Sequence, residues 1–348
     1  MTARPPLRLL VAGFGRVGRT LAGILASRDA YPGLEGLDVA VVGITTGSHG
    51  ALADAKGIAL APALAAFAEH GGFTSGCAGF AALDTAAAIA ALEYDVLVEL
   101  SPLSVAGRGE PAIAHVRRAL ALGRHVVSAN KGPLAWAFRE LTALAAANGC
   151  ALLYEATVMD GTPVFSLARH GLCGNTIARV EGVLNSTTNV MLGEMERGAS
   201  FAEAIAAAQR AGVAEADPAD DIEGWDAAVK LAVLANALMG AELLPEQVGR
   251  ESVAAATGAR IAAARAHACR VKMVCELTRE PDGVRGRVRA KELPADDALA
   301  QVDGTGSIIR FVTDILGTFT VAEERPDLAT TAYGVIADLF TVARRGEW

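Results

Sequence analysis

The sequence predicts an α/β protein with two domains: a parallel sheet layered with helices at the N-terminal end, then an α+β domain. Three observations predict it. Short apolar runs alternate with segments of helical periodicity over the first 150 residues. A G-x-G-x-x-G lies between the first run and the first helix. Beyond about residue 160, strand-like segments follow one another with only two clear helical regions, 201–212 and 222–240.

Taken in order, LRLLVAG (7–13) has the length of a buried strand, and RVGRTLAGILAS after it has helical spacing. DVAVVGITT (38–46), DVLVELS (95–101) and RHVVSAN (124–130) read as further strands, with EPAIAHVRRALALG (110–123) as an intervening helix. ALLYEATV (151–158) reads as one more strand leading out of the domain. The second domain draws its strands from ARVEGVLN, RVKMVCELT, VRGRVRAKEL and SIIRFVTDILGTFTV, in an open and largely antiparallel or mixed sheet. TTAYGVIADLFTVARR reads as a helix packing back on the first domain. The expected boundaries are 1–150, 151–320 and 321–348.

Composition narrows the class. The 348 residues are 52% hydrophobic and 20% charged, with mean hydropathy +0.34, enough apolar surface for two cores. No uncharged apolar run reaches the roughly 18 residues of a membrane span, and the N-terminal apolar stretch runs straight into the glycine motif, so no targeting segment is read. A net charge of -8 argues against nucleic acid as a partner. The one basic cluster, RGRVR at 285–289, alternates with apolar or glycine positions and reads as one face of a strand. Cys77, Cys150, Cys173, Cys269 and Cys275 are scattered and odd in number, as expected of reduced thiols in a cytoplasmic protein. The six histidines lack metal-ligand spacing.

Gly13, Gly15 and Gly18 in VAGFGRVG point to a Rossmann-type dinucleotide site: one glycine for the turn, one for approach to the pyrophosphate, one for helix–strand packing. An NAD site usually ends its second strand with a carboxylate for the ribose hydroxyls. Here that end reads ITTGSHG, with Thr45, Thr46, Ser48 and His49 and no carboxylate, so NADP is expected to be accepted at least as well as NAD. Lys56 is the cation that could reach back to a 2′-phosphate.

Two lysines stand out. Lys131, in VVSANKGPLA, lies just past a central strand, where ligands of open α/β sheets bind. Asp226 and Lys230 are four residues apart on one helix face, and the helix after Lys230 is apolar all round. A buried ammonium must be paired or lose its proton. Glu215, Asp217, Asp220 and Asp221 lie just upstream, so lysine and acids together suit a small substrate bearing an amine.

With these motifs in view, the sequence resembles homoserine dehydrogenase. The matching stretches are GFGRVG (13–18), GEPAIAHVRRALALGRHVVSANKGPLA (109–135), YEATV (154–158), GVLNSTTNVML (182–192) and EADPADDIEGWDAAVK (215–230). The resemblance implies a homodimer with a Rossmann-type NAD(P) domain and an α+β catalytic and dimerisation domain. It implies interconversion of L-homoserine and L-aspartate 4-semialdehyde in threonine, methionine and isoleucine biosynthesis. By motif position Lys230 is the expected proton donor and acceptor, with Lys131 beside it. Glu215 and Asp226 are the substrate-binding acids, Asp221 supports them, and Thr187 lies close to nicotinamide and substrate. The cofactor residues implied are Gly13, Phe14, Gly15, Arg16, Val17, Gly18, Thr45, Ser48, Ser101, Pro102, Lys131 and Gly334. A sodium ion would be held by Glu155 and the carbonyls of Val158, Asp160 and Thr162.

Three stretches depart from the family pattern: MDGTP after YEATV, Ser186 in NSTTN where glycine is common, and VAEERPDLATTAYG near the C-terminus. With the chain ending at Trp348, no regulatory ACT domain and no threonine inhibition through one are expected. The first two departures keep open a related dehydrogenase for another hydroxy acid. A nucleotide-sensing protein without turnover is the remaining alternative, opposed by the presence of both lysines and the acids.

Overall fold

A computed structural model describes residues 5–344, and these fall into two compact units. The first comprises the chain up to residue 133, residues 137–163, and the chain from residue 327. The second comprises 134–136 and 164–326. The boundary thus falls at 163/164 rather than 150/151, because the segment after residue 153 bonds to the C-terminal helix of the first unit: Glu155 N donates to Asp338 Oδ2 at 2.8 Å.

In the first unit, seven strands pair in the order β4-β3-β2-β1-β5-β6-β7. They are β1 (Leu7–Ala12), β2 (Val39–Thr45), β3 (Ala51–Ala53), β4 (Phe80–Ala81), β5 (Val96–Glu99), β6 (His125–Ser128) and β7 (Leu152–Leu153). β1, β2, β5, β6 and β7 are parallel, while β3 and β4 add an antiparallel edge. Helices α1 (Arg16–Ala26), α2 (Leu60–His70), α3 (Thr85–Ala91), α4 (Ala112–Ala121) and α6 (Phe138–Ala147) belong to this unit, while α5 (Gly132–Trp136) has its last three residues in the second. Leu9, Leu10, Val96, Leu97 and Val98 are wholly buried, which is why these strands read as unbroken apolar runs rather than alternating ones. The strand expected over 151–158 shrinks to two residues. Both the amide and the hydroxyl of Thr157 bond back to the Tyr154 carbonyl and close Glu155–Thr157 into a 3-10 turn.

The second unit holds a six-stranded sheet, order β13-β12-β8-β10-β11-β9, antiparallel except where β9 joins β11. Its strands are β8 (Ile177–Val183), β9 (Gly249–Arg250), β10 (Cys269–Glu280), β11 (Gly283–Pro294), β12 (Ser307–Thr313) and β13 (Thr318–Glu323). The helices outnumber the two expected: α7 (Val164–Gly171), α8 (Ser186–Glu196), α9 (Phe201–Arg210), α10 (Ala219–Ile222), α11 (Trp225–Met239), α12 (Gly258–Ala266) and α13 (Ala298–Gln301). α8 is hidden in sequence because it is buried on nearly every side and so has no amphipathic stripe. The helix expected over 222–240 breaks at Gly224, whose φ of +75° leaves the helical region and separates α10 from α11.

Arg285, Arg287 and Arg289 do share one face of β11, pairing across to Thr278, Glu276 and Val274, while Gly286, Val288 and Ala290 point into the core. The chain ends in α14 (Leu328–Ala343), which belongs to the first unit. Its Val335, Ile336 and Leu339 join the cluster built by Leu9, Val11 and Val96.

Candidate active site

The glycine turn of the first unit is built as its spacing requires. Gly13 has φ +106°, and a Cβ there would lie 2.5 Å from the Leu100 carbonyl oxygen. A Cβ on Gly18 would lie 2.5 Å from the Gly13 oxygen. Gly15 caps α1 and faces open space, with no heavy atom within 4 Å of an added Cβ. Two glycines therefore fit the fold and the third leaves the helix N-terminus open to an anion. Phe14 is buried, Val17 is half-buried and Arg16 is exposed at the start of α1. At the end of β2, Thr45 is buried with its hydroxyl 2.9 Å from that of Thr85, and Thr46 donates to the Gly50 carbonyl at 2.8 Å. Ser48 is exposed beside His49. Lys56 does not reach this end. Its neighbours Asp54 and Ile58 bond to Val42 and Val41, so it sits beside the opening half of β2, on the order of 10 Å back along the strand.

At the ends of β5 and β6 a hydrogen-bond network surrounds Lys131. Glu99 is fully buried, accepts from the Ser101 amide at 2.8 Å and from the Ser101 hydroxyl, and lies 3.2 Å from His115 Nδ1. Asn130 donates to the carbonyls of Ser101 (3.0 Å) and Pro102 (3.4 Å), and its Oδ1 accepts from Gly132 N at 2.9 Å. Asn130 thus binds both sides of the turn that presents half-buried Lys131. Neither Glu99 nor Asn130 stood out in the sequence.

The second unit gathers the acids and the other lysine. Lys230 Nζ donates to the Leu184 carbonyl at 2.5 Å and lies 3.2 Å from Asp226 Oδ2. These two side chains are 14% and 16% exposed, which removes the pair from the class of solvated surface bridges. Asn185 donates to Asp221 Oδ1 at 2.6 Å and to Asp226 Oδ2 at 3.0 Å. The Thr187 hydroxyl lies 2.8 Å from Asp221 Oδ2. Burial and the neighbouring Asp226 charge push the Asp221 carboxyl above its usual range, against the donors Asn185 and Thr187 and the Lys230 charge. Beneath them, burial pushes the Cys275 thiol up to about 12 despite the nearby ammonium, so this cysteine stays protonated. Asn185 was missed in sequence, because the buried helix that it caps carries no amphipathic stripe to mark its start.

Glu215 is not drawn into this cluster. It is exposed on the loop before α10, where its carbonyl accepts from Gln209; among the described residues its carboxylate makes no hydrogen bond or ion pair with Asp221 or Asp226. In the first unit, Glu155 and Val158 are buried in the turn after β7, Asp160 has φ +46° and accepts from the Thr331 hydroxyl at 2.6 Å, and Thr162 N bonds to the Met159 carbonyl. Gly334 packs against this turn: a Cβ there would lie 2.8 Å from the Asp160 oxygen. The MDGTP departure is thus accommodated by a hydroxyl and a glycine of α14. Among the described residues, no group of three or more His, Cys, Asp or Glu side chains is placed to hold a metal.

Comparison with known proteins identifies the family. The family model described as homoserine dehydrogenase matches residues 163–340, and that described as homoserine dehydrogenase, NAD binding domain, matches residues 13–155. The chain belongs to the homoserine dehydrogenase family. An NAD(+)-dependent homoserine dehydrogenase of Pseudomonas canavaninivorans is 35% identical over 337 residues, 96% of each chain. Homoserine dehydrogenase of Methanocaldococcus jannaschii is 31% identical over 335 residues, 96% of this chain and 98% of the relative. Among solved structures, a homoserine dehydrogenase from Thiobacillus denitrificans superposes with a TM-score of 0.80 at 30% identity, over 97% of this chain and 73% of that one. A hyperthermophilic archaeal homoserine dehydrogenase in complex with NADPH superposes at 0.81 with 27% identity, over 97% of both. Family membership makes the chain an NAD(P)-dependent oxidoreductase. No helix among the described residues is long and apolar enough to cross a membrane.

Proposed function

We propose that the chain interconverts L-homoserine and L-aspartate 4-semialdehyde, with one hydride passing to or from NAD(P) and one proton passing through Lys230, in threonine, methionine and isoleucine biosynthesis. The observation that carries this reading is the Lys230–Asp226 pair, withdrawn from water and held to the Leu184 carbonyl. A bound nicotinamide would supply the hydride acceptor for the carbinol carbon of the substrate, or the hydride donor in reduction. The protein residues handle the proton and the two ends of the amino acid. In oxidation, unprotonated Lys230 accepts the hydroxyl proton; in reduction its ammonium returns a proton to the carbonyl oxygen as negative charge develops there. Asp226 holds the substrate ammonium and Glu215 assists from its loop, while Asp221 and Thr187 support. Lys131, fixed by Asn130, contacts substrate oxygen or cofactor.

For the cofactor, Gly13 to Gly18 would hold the pyrophosphate, and Ser101, Pro102, Thr45 and Ser48 are the further residues that would bind it. The missing carboxylate at the end of β2 favours NADP at least as well as NAD, though without help from Lys56. A sodium ion suits the hard oxygens of Glu155, Val158, Asp160 and Thr162 and would brace their turn. The reading includes a cytoplasmic homodimer, in keeping with the free cysteines. Steady-state homoserine oxidation with both cofactors, with and without sodium or potassium, tests these points. Turnover of homoserine supports the reaction, and turnover only of another hydroxy acid in a parallel panel overturns it. A kcat/KM advantage for NAD of more than about one order of magnitude, some 1.4 kcal/mol, overturns the cofactor preference.

A further inference from the structure

We propose that Asn185 is a positioning residue for the proton-transfer centre: its single amide sets the placement of the Asp221 and Asp226 carboxylates, and through Asp226 that of the Lys230 ammonium. The inference rests on the reading of Lys230 and its acids as the reacting site.

The amide orientation is dictated by the helix. Asn185 caps α8, and its Oδ1 accepts from Thr188 N at 2.8 Å. A helix N-terminus offers donors, so the oxygen must face the helix and the NH2 must face away. That NH2 has two hydrogens and meets two carboxylate oxygens, Asp221 Oδ1 at 2.6 Å and Asp226 Oδ2 at 3.0 Å. Asn185 is 7% exposed, so water does not compete for these bonds. Two carboxylates brought this close repel each other. A shared neutral donor offsets the repulsion without adding charge, and it locks their separation.

The same strand end holds the lysine. Lys230 Nζ donates to the carbonyl of Leu184, the residue before Asn185, and meets the Asp226 oxygen that Asn185 also binds. Adjacent residues at the end of β8 therefore fix the ammonium through a carbonyl and its counter-ion through an amide. Among the described residues, the charged and titratable groups around Lys230 include Asp226 on its own helix, Asp221 on α10 and the Cys275 thiol on β10.

Two substitutions separate this role from capping. Ser and Asp both cap helices as well as Asn does, but neither has an NH2. Asn185→Ser should keep the α8 cap and the cofactor KM near wild type and lower Tm modestly, while kcat/KM for homoserine falls about tenfold or more, the loss of one or two charge-assisted hydrogen bonds. Asn185→Asp should lower it further. It should also move the rising limb of the oxidation pH profile upward, because a third negative charge holds the proton on Lys230. Wild-type kcat/KM and pH profile in both variants would overturn the proposal.

If the wild-type chain does not oxidise homoserine at all, the reaction assigned above fails on its own. The positioning role is then judged on a crystal structure of Asn185→Ser. Displaced Asp221 and Asp226 carboxylates beside an unmoved start of α8 uphold it, and superimposable carboxylates overturn it. Should the Ser variant not fold, Asn185→Asp supplies the same comparison.

Discussion

Asp226 Oδ2 and Lys230 Nζ meet at 3.2 Å across one turn of α11, a helix whose buried residues run from Ala227 to Met239. On a surface helix such a pair contributes only about 0.3–0.5 kcal/mol. Here most of both side chains is withdrawn from solvent, so removing one partner leaves a charge without its counter-charge, a costly change. In the mechanism proposed above this pair holds and releases the proton.

Asp226→Asn and Glu215→Gln should behave differently. Asp226 touches Lys230, so its loss should lower kcat and raise the KM for homoserine. Glu215 lies on an exposed loop apart from the lysine, so its neutralisation should act on KM alone. Steady-state kinetics of the two variants side by side check this, and a kcat defect in Glu215→Gln would count against the assignment.

The glycine turn gives a prediction that separates fold from binding. A Cβ on Gly18 would strike backbone, whereas one on Gly15 would meet no protein atom within 4 Å. Gly18→Ala should therefore lower Tm. Gly15→Val should leave Tm unchanged and raise the cofactor KM about tenfold or more, as expected where backbone must approach a pyrophosphate. Thermal melts with cofactor titrations decide it, and an unaltered cofactor KM in Gly15→Val would move the dinucleotide elsewhere.

Acid should weaken the second unit by a definite route. Burial pushes Glu276 up, but hydrogen bonds from Arg289 and Lys291 outweigh it and hold its carboxyl below the usual 4.5. Burial likewise raises Asp297, and Arg310 holds it below the usual 3.8. A carboxylate with a depressed folded pKa contributes stability above its unfolded pKa and loses it as pH falls through the folded one. Tm should thus hold down to about pH 4.5 and drop below that, with Glu276→Gln flattening part of the decline. Asp221 runs the other way: its raised carboxyl makes ionisation costly to the fold as pH rises. A melt series across pH for wild type and Glu276→Gln reads the difference.

How much of this was legible in sequence depended on the kind of signal. The parallel sheet and glycine turn were, because buried strands give unbroken apolar runs and glycines at fixed spacing have few other uses. Lys230 stood out because it interrupts an apolar helix. Lys272 did not, although it is 1% exposed and bonded to Asn189 and the Val302 carbonyl. On β10 it falls at a position that alternation permits to face solvent, and the groups that cover it come from residues 83 and 30 positions away. Asn185 and Asn130 were equally silent, since what distinguishes a cap or turn asparagine from a positioning one is its partners in space. Glu215 shows the reverse limit, a motif position whose side chain is exposed rather than gathered with the other acids.

The most direct measurement is kcat for Lys230→Ala in homoserine oxidation, with cofactor KM and Tm recorded on the same preparation. The account predicts a fall of roughly 10²–10⁴-fold, the range for a lost general acid–base group, with cofactor KM close to wild type. A rate within about threefold of wild type, too small for such a group, would contradict it.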